Sequence, residues 1–213
     1  MFMKVLAIVG TNRRKGNIVK ICEQILAGAE SNGHQIELLN LYDFQINYCI
    51  GCWACAKNGT CSQKDDFESI YAKFSEADVI VLGSPVYWGN VTGVMKNFFD
   101  RHTAKMTFPL DAKNISKKPF RDKIKFALSS LKNFGPKNPN ERKKEFILVS
   151  ASTYPFRFIM YEVPPTIRAM KIYVSKLRGK VISILVYTDT LIQFFNKKEK
   201  ILRKSYRLGK RLK

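Results

Sequence analysis

Short runs that stay apolar from end to end set the tightest limit on this chain. Lys4–Val9 (KVLAIV), Asp78–Gly83 (DVIVLG), Glu145–Ser150 (EFILVS) and Val181–Tyr187 (VISILVY) carry apolar side chains on successive positions, not on alternate ones. A strand with one face in water alternates; a strand covered on both faces does not. His34–Leu41 reads as a further strand, and segments of helical periodicity stand between these runs. In the first of them Ile18, Ile21, Cys22, Ile25 and Leu26 recur at helical spacing from Asn17 onward, until Ser31, Asn32 and Gly33 end it. Strand alternating with helix implies crossover connections and hence a parallel sheet. Five such strands predict an α/β fold, a doubly wound sheet in the order 2-1-3-4-5.

The other periodic segments predict helices at Asp66–Ser75, Val91–Arg101 and Thr166–Leu177, and a C-terminal helix from Lys197 with Ile201, Leu202, Ser205, Leu208 and Leu212 on one face. The 213 residues suit a single domain over 1–213. Within it, 45–65 is a cysteine-rich loop after strand two. The segment 105–144 is a basic insertion with candidate elements only near Phe120–Leu131. No apolar run approaches the roughly 20 residues of a membrane span. The apolar start is too short for a signal peptide, so a cytoplasmic location is expected. Lys and Arg number 37 against 17 Asp and Glu, a net charge of +20. Such a field attracts nucleic acid, an anionic membrane surface or an acidic protein. No nucleic-acid-binding signature accompanies it, and the basic residues after Lys197 share a helix with an apolar face. Neither a nucleic-acid nor a membrane partner is therefore expected.

In open parallel sheets, ligands sit at the carboxyl ends of the strands. The loop after strand one, Gly10-Thr11-Asn12-Arg13-Arg14-Lys15-Gly16-Asn17, lies between a strand and a helix N-terminus. Its glycines allow tight turns, its amides favour an anion, Thr11 and Asn17 add short polar donors, and Arg13 adds charge. This is a phosphate cradle by position, although a basic surface turn would read the same. It is neither a Walker loop nor a dinucleotide fingerprint. After strand three, Ser84-Pro85-Val86-Tyr87-Trp88-Gly89-Asn90 sets two aromatics beside Pro and Gly. Such a wall suits a planar ring with polar edges, such as a flavin, and equally suits plain packing.

Four of the five cysteines form one compact pattern, Cys49-x-x-Cys52-x-x-Cys55-x5-Cys61. In a reducing compartment, clustered thiols point to metal or redox chemistry rather than to structural disulfides. Four thiolates on a short loop can wrap one 4Fe-4S cubane, and the small residues Gly51, Ala54, Ala56 and Gly59 let the backbone close around it. A zinc ion and free or disulfide-forming thiols are the competing readings; zinc favours two C-x2-C pairs set further apart.

The two loops together resemble those of the flavodoxin-fold NADPH-dependent FMN reductase family, in particular its iron–sulfur flavoprotein branch. The matching residues are Gly10 to Ile18, Ser84 to Gly93, and Met95-Lys96-Asn97-Phe98-Phe99-Asp100-Arg101. The likeness covers roughly the first half of the chain and returns in the last strand and helix. It implies a flavodoxin-like sheet and FMN as cofactor. Thr11, Asn12, Arg13, Gly16, Asn17 and the Ile18 amide would surround the phosphate. Ser84, Pro85, Val86, Tyr87, Trp88, Gly89 and Asn90 would line the ribityl chain and ring. Ile18 stands where the family has threonine, and Ser150-Ala151-Ser152-Thr153-Tyr154 lacks the family's glycine-rich turn. The branch also carries the compact cysteine pattern with a 4Fe-4S cluster, and its members commonly pair subunits, which implies a dimer or tetramer.

The function implied is electron transfer between a one-electron donor, such as an acidic ferredoxin, and a two-electron acceptor. One alternative is an NAD(P)H-dependent FMN or quinone reductase without a functional cluster. Another is a redox sensor whose basic surface binds nucleic acid or membrane. No acid–base pair and no nucleophile triad is apparent, as expected where a cofactor does the chemistry. Cys22 reads as packing, His102 as a surface histidine, and His34 as a residue with no visible partner.

Overall fold

The computed structural model describes residues 2–58, 60–106, 117–133, 135–136, 143–153, 156–188, 190 and 198–213. Five strands, β1 (Lys4–Val9), β2 (Gln35–Asn40), β3 (Val79–Pro85), β4 (Glu145–Ala151) and β5 (Lys180–Tyr187), form one sheet in the order β2-β1-β3-β4-β5. Every pairing is parallel, so the predicted flavodoxin-like doubly wound order is the observed one. The helices are α1 (Asn17–Glu30), α2 (Ala54–Asn58), α3 (Phe67–Glu76), α4 (Gly93–Arg101), α5 (Phe120–Asn133), α6 (Phe156–Lys176) and α7 (Lys198–Lys210).

The unbroken apolar runs divide between two cores by residue parity. Leu6, Ile8, Ile80, Leu82, Phe146 and Leu148 enter a core shared with Phe67, Ile70 and Phe74 of α3, Met95 and Phe98 of α4, and Met170 and Val174 of α6. Val5, Ala7, Val9, Val81, Ile147 and Val149 face the other way, onto Ile18, Ile21, Cys22 and Ile25 of α1. Successive strand residues point to opposite faces, so only a run apolar at every position can serve both.

Helices α1 and α7 approach unusually closely. A Cβ placed on Gly28 would lie 2.0 Å from the Tyr206 carbonyl oxygen, and one on Gly209 would lie 1.9 Å from that of Ile25. Cys22 is fully buried on the sheet side of α1, where burial pushes its thiol far above the usual range. It packs as expected.

Several element boundaries differ from the sequence reading. The helix expected from Thr166 starts ten residues earlier, at Phe156, and runs through Pro164 and Pro165. The candidate element near Phe120–Leu131 is helix α5. Residues 107–116, 134 and 137–142 of the basic segment lie outside the described residues, as do Tyr154 and Lys197. Both histidines are corrections. His34 is buried, its Nδ1 accepting the Met3 N–H at 3.3 Å while Nε2 lies 3.1 Å from the Leu212 carbonyl. His102 is no surface residue either: it lies inside the core that β3 shares with α4. Among the described residues, no helix is long and apolar enough to cross a membrane.

Candidate functional site

The first two candidate loops meet at the carboxyl end of the sheet. Gly10 donates its N–H to the Gly83 carbonyl at 2.8 Å, and Thr92 Oγ1 donates to the Gly10 carbonyl at 2.8 Å. A Cβ on Gly10 would stand 2.7 Å from Thr92 Oγ1 and 2.9 Å from the Met95 Cβ. A glycine there is what lets the two loops touch. Asn40, at the end of β2, donates to the Thr11 carbonyl at 2.9 Å and accepts the Tyr42 N–H at 3.1 Å. Asn40 was not singled out from the sequence, and Thr92 stood only within the matching run Ser84–Gly93, with no role assigned. Their signal is a polar side chain at the end of an element flanked by apolar residues.

Within the first loop, Thr11 is buried and its hydroxyl accepts the Arg13 N–H at 3.3 Å. The Gly16 N–H folds back to the Arg13 carbonyl at 2.9 Å. Helix α1 then begins with no side-chain cap and no acidic residue in its first turn. Its leading N–H groups and the positive end of its dipole therefore face the loop uncompensated. Arg14 is paired with Asp43 at 2.7 Å. Arg13 is exposed and forms no ion pair among the described residues, and Asn12 is exposed beside it. The Ile18 side chain is buried in the sheet–helix core, so only its backbone faces the loop.

The second loop is a tight turn. Tyr87 and Asn90 exchange backbone hydrogen bonds of 2.9 and 3.0 Å, enclosing Trp88 at φ 50° and Gly89 at φ 68°. Positive φ at both central positions is the type I′ arrangement, and tryptophan adopts it against its steric preference. Trp88 is 100% exposed and Tyr87 57%. The Val86 N–H is tied to the Ala151 carbonyl at 2.9 Å. The Ser84 hydroxyl is buried, accepting the Thr92 N–H and donating to the Pro85 carbonyl, both at 3.0 Å. Ser84 therefore braces the turn from below while Pro85 and Val86 stand half-buried at its base.

Cys49, Cys52, Cys55 and Cys61 all line one cavity of about 120 Å³, together with Gly51, Trp53, Arg101 and Ala104. The loop that carries them is stitched at its neck. Asp66 accepts the Gln45 N–H and Asp65 accepts the Asn47 N–H, each at 2.8 Å, and Gln63 Nε2 donates to the Tyr48 carbonyl at 3.3 Å. Asn97 Nδ2 donates to the Ile46 carbonyl at 2.8 Å, fastening the loop to α4. Ser62 lies 3.3 Å from Cys52 Sγ; with the Ala54 N–H it holds the Cys52 thiol below the usual range. Among the described residues, no three His, Cys, Asp or Glu side chains are placed to hold a single metal ion.

Arg101 also lines this cavity; in the sequence it stands only as the end of a helix and of the run that resembles the family, with no role assigned. It is fully buried, with Nη1 donating to Asp65 Oδ2 and, at 2.8 Å, to the Asn47 carbonyl. Nη2 donates to Asp65 Oδ1 at 3.1 Å and reaches Cys61 Sγ at 3.5 Å. Burial opposes both charges, but the mutual pairing wins: Arg101 is held above its usual range and Asp65 below its own. The guanidinium also stands 4.9 Å from the centre of the Phe67 ring.

Residues 3–151 match the pattern of the family described as NADPH-dependent FMN reductase. An iron-sulfur flavoprotein of Archaeoglobus fulgidus is 46% identical over 99 residues, which is 46% of this chain and 48% of that protein. The chain thus spans about half the length of the curated relatives it matches. An NAD(P)H:quinone oxidoreductase from Methanothermobacter marburgensis superposes over 100% of both chains with a TM-score of 0.72 at 14% identity. An FMN-dependent NADH-azoreductase from Bacillus anthracis, solved in complex with FMN, covers 99% of each chain with a TM-score of 0.68 at 13% identity. At such identities the two structures speak for the fold alone. The family pattern spans well over half of the 213 residues and takes in both loops and all four clustered cysteines, so this chain belongs to the NADPH-dependent FMN reductase family.

Proposed function

We propose that this chain is an iron–sulfur flavoprotein, a flavin-dependent oxidoreductase that binds FMN at the two sheet-end loops and a 4Fe-4S cluster on the cysteine loop. The convergence of Cys49, Cys52, Cys55 and Cys61 on one cavity carries the reading. A cubane holds its four ligand sulfurs further apart than a single ion does. Four cysteines lining one cavity at the compact spacing Cys49-x-x-Cys52-x-x-Cys55-x5-Cys61, rather than as two separated C-x2-C pairs, therefore suit a cluster better than zinc. When bound, FMN exchanges one or two electrons and the cluster one, which joins a one-electron donor to a two-electron acceptor.

The chain's own residues supply the binding and the field. The N-terminus of α1, with Thr11, Asn12, Arg13, Gly16, Asn17 and the Ile18 amide, would hold the FMN phosphate. The turn from Pro85 to Asn90, braced by Ser84, would present Tyr87 and Trp88 to the flavin. The donor would be an acidic ferredoxin-type carrier drawn by the net charge of +20. NAD(P)H is the alternative that the family description favours.

Anaerobically purified protein tests the proposal. Its visible spectrum should show flavin bands and a broad cluster shoulder, with about four irons and four sulfides per chain. Cys52→Ala and Cys55→Ala should lose the cluster and keep FMN, because the flavin loops belong to other strands. Cys22→Ala should keep both. Stoichiometric zinc without acid-labile sulfide would overturn the cluster, and the absence of flavin bands would overturn the FMN site.

A further inference from the structure

A buried arginine pressed against a cysteine of the cavity needs a reason, because two buried charges rarely improve on an apolar packing of the same volume. Arg101 is held on three sides: by the Asp65 carboxylate, by the Asn47 carbonyl and by the Phe67 ring. Its fourth side faces Cys61 Sγ at 3.5 Å. Asp65 is itself fixed by the N–H groups of Asn47 and Phe67 at 2.8 and 3.1 Å. The guanidinium therefore cannot swing away, and its orientation is over-determined. Nε is buried without a hydrogen-bond partner, so the side chain gives up one donor to keep Nη2 aimed at the sulfur.

We infer that Arg101 is a positioning residue that donates an N–H to the Cys61 thiolate and, balanced by Asp65, sets the reduction potential of the group held by the four cysteines. The inference rests on the cluster reading above. One-electron reduction by a ferredoxin-type donor adds one negative charge to the cluster and its thiolates, with no bond made or broken. A hydrogen bond and a positive group at a ligand sulfur favour the more negative state. Arg101 therefore raises the potential, while the Asp65 carboxylate behind it limits the rise.

The two halves of the pair must then act in opposite directions, which a merely structural clasp would not do. The test is a potentiometric titration of anaerobic, cluster-loaded wild type, Arg101→Gln, Arg101→Lys and Asp65→Asn, followed by electron paramagnetic resonance, with iron and sulfide measured on each sample. Arg101→Gln should lower the reduced-to-oxidised ratio about tenfold at a fixed potential, which is 59 mV for a one-electron couple. Arg101→Lys should fall between it and wild type. Asp65→Asn should shift the ratio the opposite way. Wild type without iron and sulfide would refute the cluster itself and the inference with it. Wild type with a full cluster but variants of unchanged potential would overturn only the role of Arg101. So would shifts of the same sign in Arg101→Gln and Asp65→Asn, or loss of the cluster from all three variants, which would make the pair a clasp.

Discussion

His102 sits in a box of rings: Phe98, Phe74, Phe67 and Tyr173 lie 4.5, 4.9, 5.2 and 5.2 Å from it, centre to centre. Its Nδ1–H donates to the Phe98 carbonyl at 2.9 Å and its Nε2 accepts from Tyr173 Oη at 3.1 Å, so the neutral ring is fully satisfied. Burial, aided by the nearby Lys105 charge, pushes its pKa from 6.5 down to about 4. The unfolded chain therefore takes up a proton between these values that the folded chain refuses. Stability from this residue is complete above pH 6.5 and declines as the pH falls toward 4. Denaturant unfolding should show the protein about 2 kcal/mol less stable at pH 5 than at pH 7 through this group. The difference should shrink in His102→Gln; an equal slope in both proteins would refute the assignment. Sequence shows that His102 and Arg101 follow Phe98 at helical spacing. It does not show that Tyr173, seventy residues on, closes over one of them and Asp65 over the other. The four cysteines were legible because their spacing is local, while the arginine beside them depends on a tertiary contact.

Helices α1 and α7 meet through Gly28 and Gly209, whose missing side chains let each backbone touch the other helix. Alanine is the better helix former by about 1 kcal/mol, so Gly28→Ala would stabilise an isolated helix. Here the new methyl would stand 2.0 Å from the Tyr206 carbonyl oxygen and must push the helices apart. The variant should lose about 1–3 kcal/mol or more, the cost of overpacking, seen as a lower midpoint in denaturant. A midpoint equal to or above wild type would show that the contact yields freely. Strands, their order, the start of α1 and the end of α4 could be read beforehand, because apolar runs and the turn residues between them are local signals; α4 itself begins at Gly93, two residues after the expected Val91. The first ten residues of α6 could not be read. Pro164-Pro165 carries the usual mark of a helix boundary, yet the helix passes through, with Val163, Ile167, Met170 and Val174 buried against the sheet. Tertiary packing overrode the local preference.

At the scale of the whole molecule, the net charge of +20 outweighs every individual ion pair. Apart from Arg101 with Asp65, the described pairs, such as Arg14 with Asp43 and Lys4 with Glu76, lie at the surface and contribute little to stability. The unbalanced remainder is a long-range field. If it steers an acidic carrier, electron transfer from a ferredoxin should slow steeply as salt rises from about 0.05 to 0.3 M, while transfer from a small neutral reductant stays flat. A flat profile with both would favour NAD(P)H as the donor. Another feature spans the two proposed cofactor sites. Helix α4 begins three residues after the aromatic turn and ends at Arg101, beside the cysteines. Its nine residues measure about 14 Å. Tunnelling decays exponentially with distance, so a stiff rod of fixed length behaves as a calibrated spacer between two electrodes. Were FMN held at one end and a cluster at the other, as proposed, the spacing between them along this helix would be set when the chain folds.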